Sequence, residues 1–116
     1  MRSTELEART KGFALRIIKM YGRLPKRVEA EVLGKQVLRS GTGVAANYCE
    51  AARARSKAEF IAKLGVVEQE LAETKLWLEL LVEGDIVPNA KMTELQNETE
   101  ELLKIIVASM KTLKGR

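Results

Sequence analysis

The sequence predicts an all-α protein: an up-down-up-down antiparallel four-helix bundle that forms one domain over residues 1–116. Three observations support this fold class. Helix-favouring Ala, Leu, Glu, Lys and Arg are abundant, whereas the chain has 2 Pro and 4% aromatic residues. Apolar residues recur at spacings of three and four in four long segments. Short stretches with Gly or Pro separate the segments, and short connections make consecutive helices antiparallel.

The first helix is predicted over about residues 4–22, before the turn at Pro25, and the second over about residues 26–54. The second contains the stretch Ser40–Gly43 (SGTG), yet small and apolar residues keep a spacing of seven straight through it: Ala30, Val37, Val44 and Ala51. A glycine costs roughly 1 kcal/mol inside a helix. We therefore expect the backbone of a neighbouring helix to approach closely where no Cβ fits.

The third helix is predicted over about residues 56–83, and the fourth over about residues 88–114. Ser56 followed by Glu59 has the spacing of a capping box, and Gly84 is suited to the position after a helix end. Pro88 is a favourable residue for the first turn of the fourth helix. The sequence shows no repeat, low-complexity segment or domain linker.

Composition excludes several classes of function. The chain has no His, which excludes Ser-His and Cys-His nucleophile systems and histidine-based metal sites. The single Cys49 cannot form an internal disulfide. No secretory signal and no apolar run of about 20 residues is present, so we expect a cytoplasmic protein without a membrane span. We predict no catalytic residue, no metal and no cofactor.

Polar residues follow one side of the second and third helices. Antiparallel pairing about a turn near residue 55 places Arg39 opposite Glu70 and Glu73, and Asn47 and Glu50 opposite Lys63. We interpret these side chains as a structural polar network that fixes the register of the two helices. The alternative is an enzyme or metal site built on the carboxylates of Glu50, Glu70 and Glu73.

Charge is unevenly distributed along the chain. Residues 1–63 carry 14 Lys or Arg and 6 Asp or Glu, a net charge of +8, whereas residues 64–116 carry 6 and 10, a net charge of −4. The predicted threading gathers cations at the end of the bundle that holds both termini and the turn near residue 55. Arg2 lies there, and so do the predicted nucleic-acid-binding residues Arg53, Arg55, Lys57, Lys111, Lys114 and Arg116.

Two alternatives to nucleic-acid binding remain for these cations. Arg53, Lys111 and Lys114 lie at helix C-termini, where cations complement the helix dipole, and the basic and acidic halves can neutralise each other within a bundle or between subunits. A second basic strip runs along the first helix at Arg9, Arg16, Lys19 and Arg23. Few aromatic residues are available for base stacking, so any nucleic-acid binding should tolerate different sequences.

The central block of the chain resembles a known family. Over roughly residues 13–113 the chain is similar to the bacterial four-helix bundle proteins encoded in intervening sequences of large-subunit (23S) ribosomal RNA genes. The residues that carry the resemblance are Leu24, Pro25, Gln36, Leu38, Arg39, Ser40, Val44, Asn47, Glu50, Ala51, Arg53, Arg55, Ser56, Phe60, Leu64, Glu70, Glu73 and Thr74. Gly43 departs from the family, which usually has Ser at this position.

The resemblance implies a four-helix bundle that assembles as a homopentamer. A more distant relative, the accessory variability protein of diversity-generating retroelements, is a basic pentameric bundle that binds nucleic acid and a reverse transcriptase. By that analogy the partners are RNA or DNA and a protein such as a reverse transcriptase. Apolar residues outside the core stripes are candidates for the subunit contact: Val66, Trp77, Leu80 and Leu103. The predicted function is a non-enzymatic oligomer that binds nucleic acid; the alternative is a protein-interaction scaffold without nucleic-acid binding.

Overall fold

Four α-helices arranged as an antiparallel bundle form the structure, a computed structural model that describes residues 4–115. The helices are α1 (Thr4–Gly22), α2 (Val28–Ala52), α3 (Lys57–Glu83) and α4 (Thr93–Lys114). The described residues contain no strand and form a body of 47 × 20 × 20 Å. The predicted fold class is therefore confirmed.

The core is a column of apolar side chains to which all four helices contribute. Phe13, Val37, Leu71 and Leu102 are examples from the four helices, and each is at most 1% exposed. Helix α2 packs extensively against both α1 and α3, and α4 packs mainly against α3. Of the four neighbouring pairs, α1 and α4 make the fewest close backbone contacts.

Helix α2 runs without interruption through Ser40–Gly43, but its glycines have a different role from the one expected. A Cβ on Gly41 would lie 2.8 Å from Cγ1 and 2.9 Å from Cγ2 of Ile17 in α1. A Cβ on Gly43 would lie 2.6 Å from Oε2 of Glu70 in α3. The glycines therefore accommodate neighbouring side chains, whereas the sequence suggested close approach of a neighbouring backbone.

The start of α3 agrees with the capping signal in the sequence, whereas the start of α4 does not. The Ser56 hydroxyl accepts a hydrogen bond from the Glu59 backbone N–H at 3.0 Å, as the capping-box spacing predicts. The prediction that the fourth helix starts at Pro88 is wrong. Pro88 has extended backbone angles, a short 3₁₀ turn follows at Asn89–Lys91, and α4 begins only at Thr93.

The connection from α3 to α4 turns at Asp85, which has a φ of 60°, whereas Gly84 has a φ of −83°. Asp tolerates the left-handed region better than most residues, so it takes the position that the sequence assigned to the glycine. The backbone N–H groups of Ile86 and Val87 both donate to the carbonyl of Leu81, at 3.0 and 3.1 Å. These bonds fold the connection back against the end of α3.

Within residues 4–115, no helix has the length and apolar character needed to cross a bilayer.

Two glycine-to-alanine variants distinguish a packing requirement from helix propensity. Gly41→Ala should lower the free energy of unfolding by about 1–3 kcal/mol, because the added methyl meets the fully buried, stiff side chain of Ile17. Gly12→Ala in α1 is the control, since a Cβ there has no atom within 4 Å, and it should raise this free energy by up to about 1 kcal/mol. Urea denaturation measures both; equal stabilisation by the two variants would contradict the packing role of Gly41.

Candidate nucleic-acid interface and the polar face of α2 and α3

Five of the predicted nucleic-acid-binding residues lie at one end of the bundle, which we call the cationic end: Arg53, Arg55, Lys57, Lys111 and Lys114. The last residues of α2, the start of α3 and Leu113 of α4 line a shared cavity of about 430 Å³ there, so the α2–α3 turn and the end of α4 are neighbours. All five side chains are exposed. Arg2 and Arg116 lie outside the described residues.

The charges of the cationic end are not neutralised by direct contact. The charged side-chain nitrogens of its five cations have no carboxylate oxygen of a described residue within 4 Å. The nearby Glu59 carboxylate accepts a hydrogen bond from the backbone N–H of Arg55 at 2.9 Å. It therefore binds the backbone just before α3 and does not pair with a cationic side chain. Arg53 donates to the carbonyl oxygen and Sγ of Cys49, at 3.1 and 2.8 Å. At the same end the N-terminus of α3 adds positive potential, and the C-termini of α2 and α4 add negative potential.

The second basic strip on α1 is partly neutralised by α4. Arg9 donates two hydrogen bonds to the carboxylate of Glu98, from Nε at 2.8 Å and Nη2 at 2.9 Å. Arg16 lies 3.7 Å from Glu94. This bidentate pair lowers the pKa of Glu98, because the guanidinium hydrogen bonds favour the charged carboxylate. Only Lys19 and Arg23 of the strip lack an ion pair with a described residue.

The polar side chains of α2 and α3 meet in two separate ion pairs. Arg39 Nη2 lies 3.6 Å from Glu73 Oε1, and both side chains are exposed. Lys63 Nζ donates to Glu50 Oε1 at 2.6 Å, and this second pair lies closer to the α2–α3 turn. Asn47 does not reach Lys63: its Nδ2 donates to the Gly43 carbonyl of its own helix at 2.8 Å.

Next to the Arg39–Glu73 pair on both helices, α2 and α3 also make a buried polar contact. The hydroxyls of Ser40 and Thr74 share a hydrogen bond of 2.8 Å, and both residues are 0% exposed. The sequence pattern places these residues on adjacent antiparallel helices but does not pair them. Two small hydroxyl residues facing each other across predicted helices are the signal that identifies such a bond.

Glu70 is the one member of the polar set whose side chain has no hydrogen bond or ion pair to a described residue; its backbone carbonyl accepts from the Thr74 hydroxyl at 2.8 Å. Its carboxylate lies over Gly43, in the space that a Cβ would otherwise occupy. Partial burial is the main cause that raises the pKa of Glu70; the neighbouring Glu73 adds to this, and Arg39 opposes it. A serine hydroxyl at position 43, usual in the family that the sequence resembles, would stand against this carboxylate.

The three carboxylates considered as an enzyme or metal site do not form one cluster. Glu50 pairs with Lys63, whereas Glu70 and Glu73 lie further along the bundle beside Arg39. Throughout residues 4–115, no three acidic or Cys side chains lie close enough to hold a metal ion.

Comparison with known proteins agrees with this architecture. The model of the 23S rRNA-intervening sequence protein family matches residues 3–108. A crystal structure of a protein of unknown function from the S23 ribosomal protein family of Bacteroides thetaiotaomicron is 34% identical in sequence, with a TM-score of 0.87. The match covers 96% of this chain and 99% of that one. No curated protein matches the chain. The family resemblance inferred from the sequence is confirmed.

Glu70→Gln and Glu98→Gln should change the free energy of unfolding in opposite directions at pH 7. The pKa of Glu98 is lowered in the folded protein, so its ionised form stabilises the fold, and its loss should cost about 1 kcal/mol. The pKa of Glu70 is raised, so its ionised form opposes folding, and Glu70→Gln should stabilise the protein.

Chemical denaturation of the parent and both variants across pH tests the assignment. The ordinary glutamate pKa is 4.5. The benefit of Glu70→Gln should fade as pH falls towards that value and be absent below it. The cost of Glu98→Gln should persist down to about pH 4.5 and fade only below it. Stabilisation by both variants, or a pH-independent difference for either, would contradict these environments.

Proposed function

The chain belongs to the 23S rRNA-intervening sequence protein family, and on that premise we propose that it is a non-enzymatic oligomer that binds RNA or DNA phosphates through its cationic end. The observation that carries this proposal is the set of five exposed cations without a carboxylate partner among the described residues. Exposed Lys and Arg attract phosphates and release counterions when they bind them. Helix dipoles at the ends of α2 and α4 account for some of these cations, but Arg55 and Lys57 lie at the start of α3, where the dipole disfavours them.

The aromatic residues favour contacts with the nucleic-acid backbone over base reading. Phe13, Tyr48 and Phe60 are buried, and Tyr21 and Trp77 are half-buried. No aromatic side chain is fully exposed at the cationic end, so stacking on bases has no platform there. Binding should therefore depend strongly on salt and weakly on sequence.

The proposal includes self-association, because one cationic end supplies only a few phosphate contacts and a ring of copies multiplies them. The surface best suited to a subunit contact lies on α2 and α3. Two helical turns beyond the Arg39–Glu73 pair, the register of these helices brings Val32 beside Leu80. We call this surface the α2–α3 patch, and it consists of Val28, Val32, Leu76, Trp77 and Leu80.

The α2–α3 patch is apolar and open to solvent. Val28 is 79% exposed, Val32 55% and Leu76 47%. The Nε1 atom of Trp77 is buried without a hydrogen-bond partner in the described residues, which is costly for an indole N–H. Of the other residues predicted for the contact, Val66 and Leu103 are half-buried, and Leu103, like Trp77, packs against the core. The same patch supports the alternative function of a protein-interaction scaffold.

Charge reversal at the cationic end tests nucleic-acid binding. The triple variant Arg53→Glu, Arg55→Glu and Lys57→Glu should weaken binding of RNA and duplex DNA by at least about tenfold at low salt, because phosphate contacts are lost. Fluorescence anisotropy at several salt concentrations measures this, and the slope of log affinity against log salt should become shallower. The double variant Lys26→Glu and Arg27→Glu at the opposite end is the control and should bind normally. Absence of binding by the parent protein at low salt would reject the proposal.

Charged substitutions in the α2–α3 patch test self-association. Val32→Glu with Leu80→Glu should reduce the molar mass measured by light scattering, because burying carboxylates in an apolar contact is unfavourable. Leu15→Glu is the control and should leave the molar mass unchanged, since Leu15 is 58% exposed on α1, outside the patch. An unchanged mass for the double variant, or a monomeric parent, would contradict the assigned contact.

A further inference from the structure

A groove lies at the end of the bundle opposite the cationic end. The last turns of α1, the α1–α2 turn, the α3–α4 connection and the first turn of α4 enclose a space of about 750 Å³. Helices α1 and α4 touch least of all neighbouring pairs, and the late start of α4 at Thr93 leaves this corner of the bundle open.

The floor of the groove is apolar. It consists of Met20, Leu24, Ile86, Val87 and Leu95. The first four are half-buried and Leu95 is buried. The hydrogen bonds to the Leu81 carbonyl hold Ile86 and Val87 in this position. Met20 has a flexible, polarisable side chain that adapts to different apolar surfaces.

The rim of the groove is cationic. Arg16, Lys19, Arg23 and Lys91 line it, and all four are exposed. Lys19, Arg23 and Lys91 have no ion pair with a described residue. Glu94 is the only acidic side chain in the lining; it is 95% exposed and lies 3.7 Å from Arg16. The lining therefore has a net charge of +3, from four cations and one carboxylate.

We propose that this groove binds an acidic amphipathic segment of a partner protein, whose apolar side chains pack on the floor while its carboxylates meet the rim. Each feature of the site has a counterpart in such a segment, as in helix-in-groove recognition. The proposal is independent of nucleic-acid binding at the cationic end and gives the scaffold function a site and a partner chemistry.

Two other occupants match the groove less well. A nucleic acid would bring phosphates to the rim, but its bases would find no aromatic side chain in the lining on which to stack. A second copy would have to offer exposed carboxylates next to exposed apolar residues, as Val28–Val32 does. In that segment, however, Glu29 lies 3.7 Å from Arg27 and Glu31 lies 3.3 Å from Lys35, so its negative charge is already matched.

The probe for this proposal is a fluorescein-labelled synthetic peptide of about 14 residues with leucines at helical spacing and glutamates elsewhere. Two control peptides replace all leucines by serine or all glutamates by lysine. Fluorescence anisotropy with the intact protein should show saturable binding of the Glu/Leu peptide and of neither control peptide. Equal binding of the serine peptide would overturn the proposal, because the groove floor would then contribute nothing.

Protein variants locate the binding. Lys19→Glu with Arg23→Glu should weaken peptide binding by at least about tenfold through reversal of the rim charge, and circular dichroism should show unchanged helicity. Arg55→Glu with Lys57→Glu, at the cationic end, carries the same charge change and should bind the peptide normally.

Two binding results would reject the groove as a partner site: no saturable binding of the Glu/Leu peptide, or an equal loss of peptide affinity in both variant proteins. Displacement of the peptide by RNA from the Arg55→Glu, Lys57→Glu variant would also reject it, because the RNA would then occupy the groove. A fall in oligomer mass on adding the peptide would show that a second copy occupies the groove, and this too would overturn the proposal.

Discussion

The contact that the middle of α2 makes with both of its neighbours determines the register of the bundle. On one side, Gly41 leaves room for the buried side chain of Ile17 in α1. On the other, Ser40 shares a buried hydrogen bond with Thr74 of α3. A shift of either neighbour along α2 would drive Ile17 into a larger side chain or break the buried bond between the two hydroxyls, and both outcomes are costly. The hydroxyls would then keep only the carbonyls of their own helices, Glu70 for Thr74 at 2.8 Å and Val37 for Ser40 at 3.5 Å. The α2–α3 patch and both ion pairs on that face inherit their positions from this register.

The face between α1 and α4, on the opposite side of the bundle from the α2–α3 patch, is crossed by an ion pair. Helices α1 and α4 touch little, and the bidentate pair of Arg9 with Glu98 joins them near the middle. This pair removes one cation from the basic strip of α1 and leaves the remaining ones near the far end. The two surfaces to which we assign binding are thereby separated: a cationic end around the α2–α3 turn, and a groove at the other end where the cations surround an apolar floor.

The parts of the structure that could be predicted from the sequence are those governed by local periodicity. The spacing of Ala30, Val37, Val44 and Ala51 correctly indicated one helix through Ser40–Gly43, and Ser56 correctly marked the start of α3. Contacts between helices far apart in sequence were not predicted. Arg9 and Glu98 are separated by 89 positions, and nothing in the spacing of either helix selects this pair. Helix α4 was placed too early because Pro88 suits both a first helical turn and an extended residue.

The chain has a single tryptophan, and its position makes the protein its own optical reporter. Trp77 lies in the α2–α3 patch, with its indole nitrogen shielded and unbonded. Intrinsic tryptophan emission therefore originates from one face of the bundle, near the far end of α3 from the cationic end. A shift of the emission wavelength on dilution would signal exposure of that face to solvent, whereas a ligand bound around the α2–α3 turn should leave the spectrum unaltered.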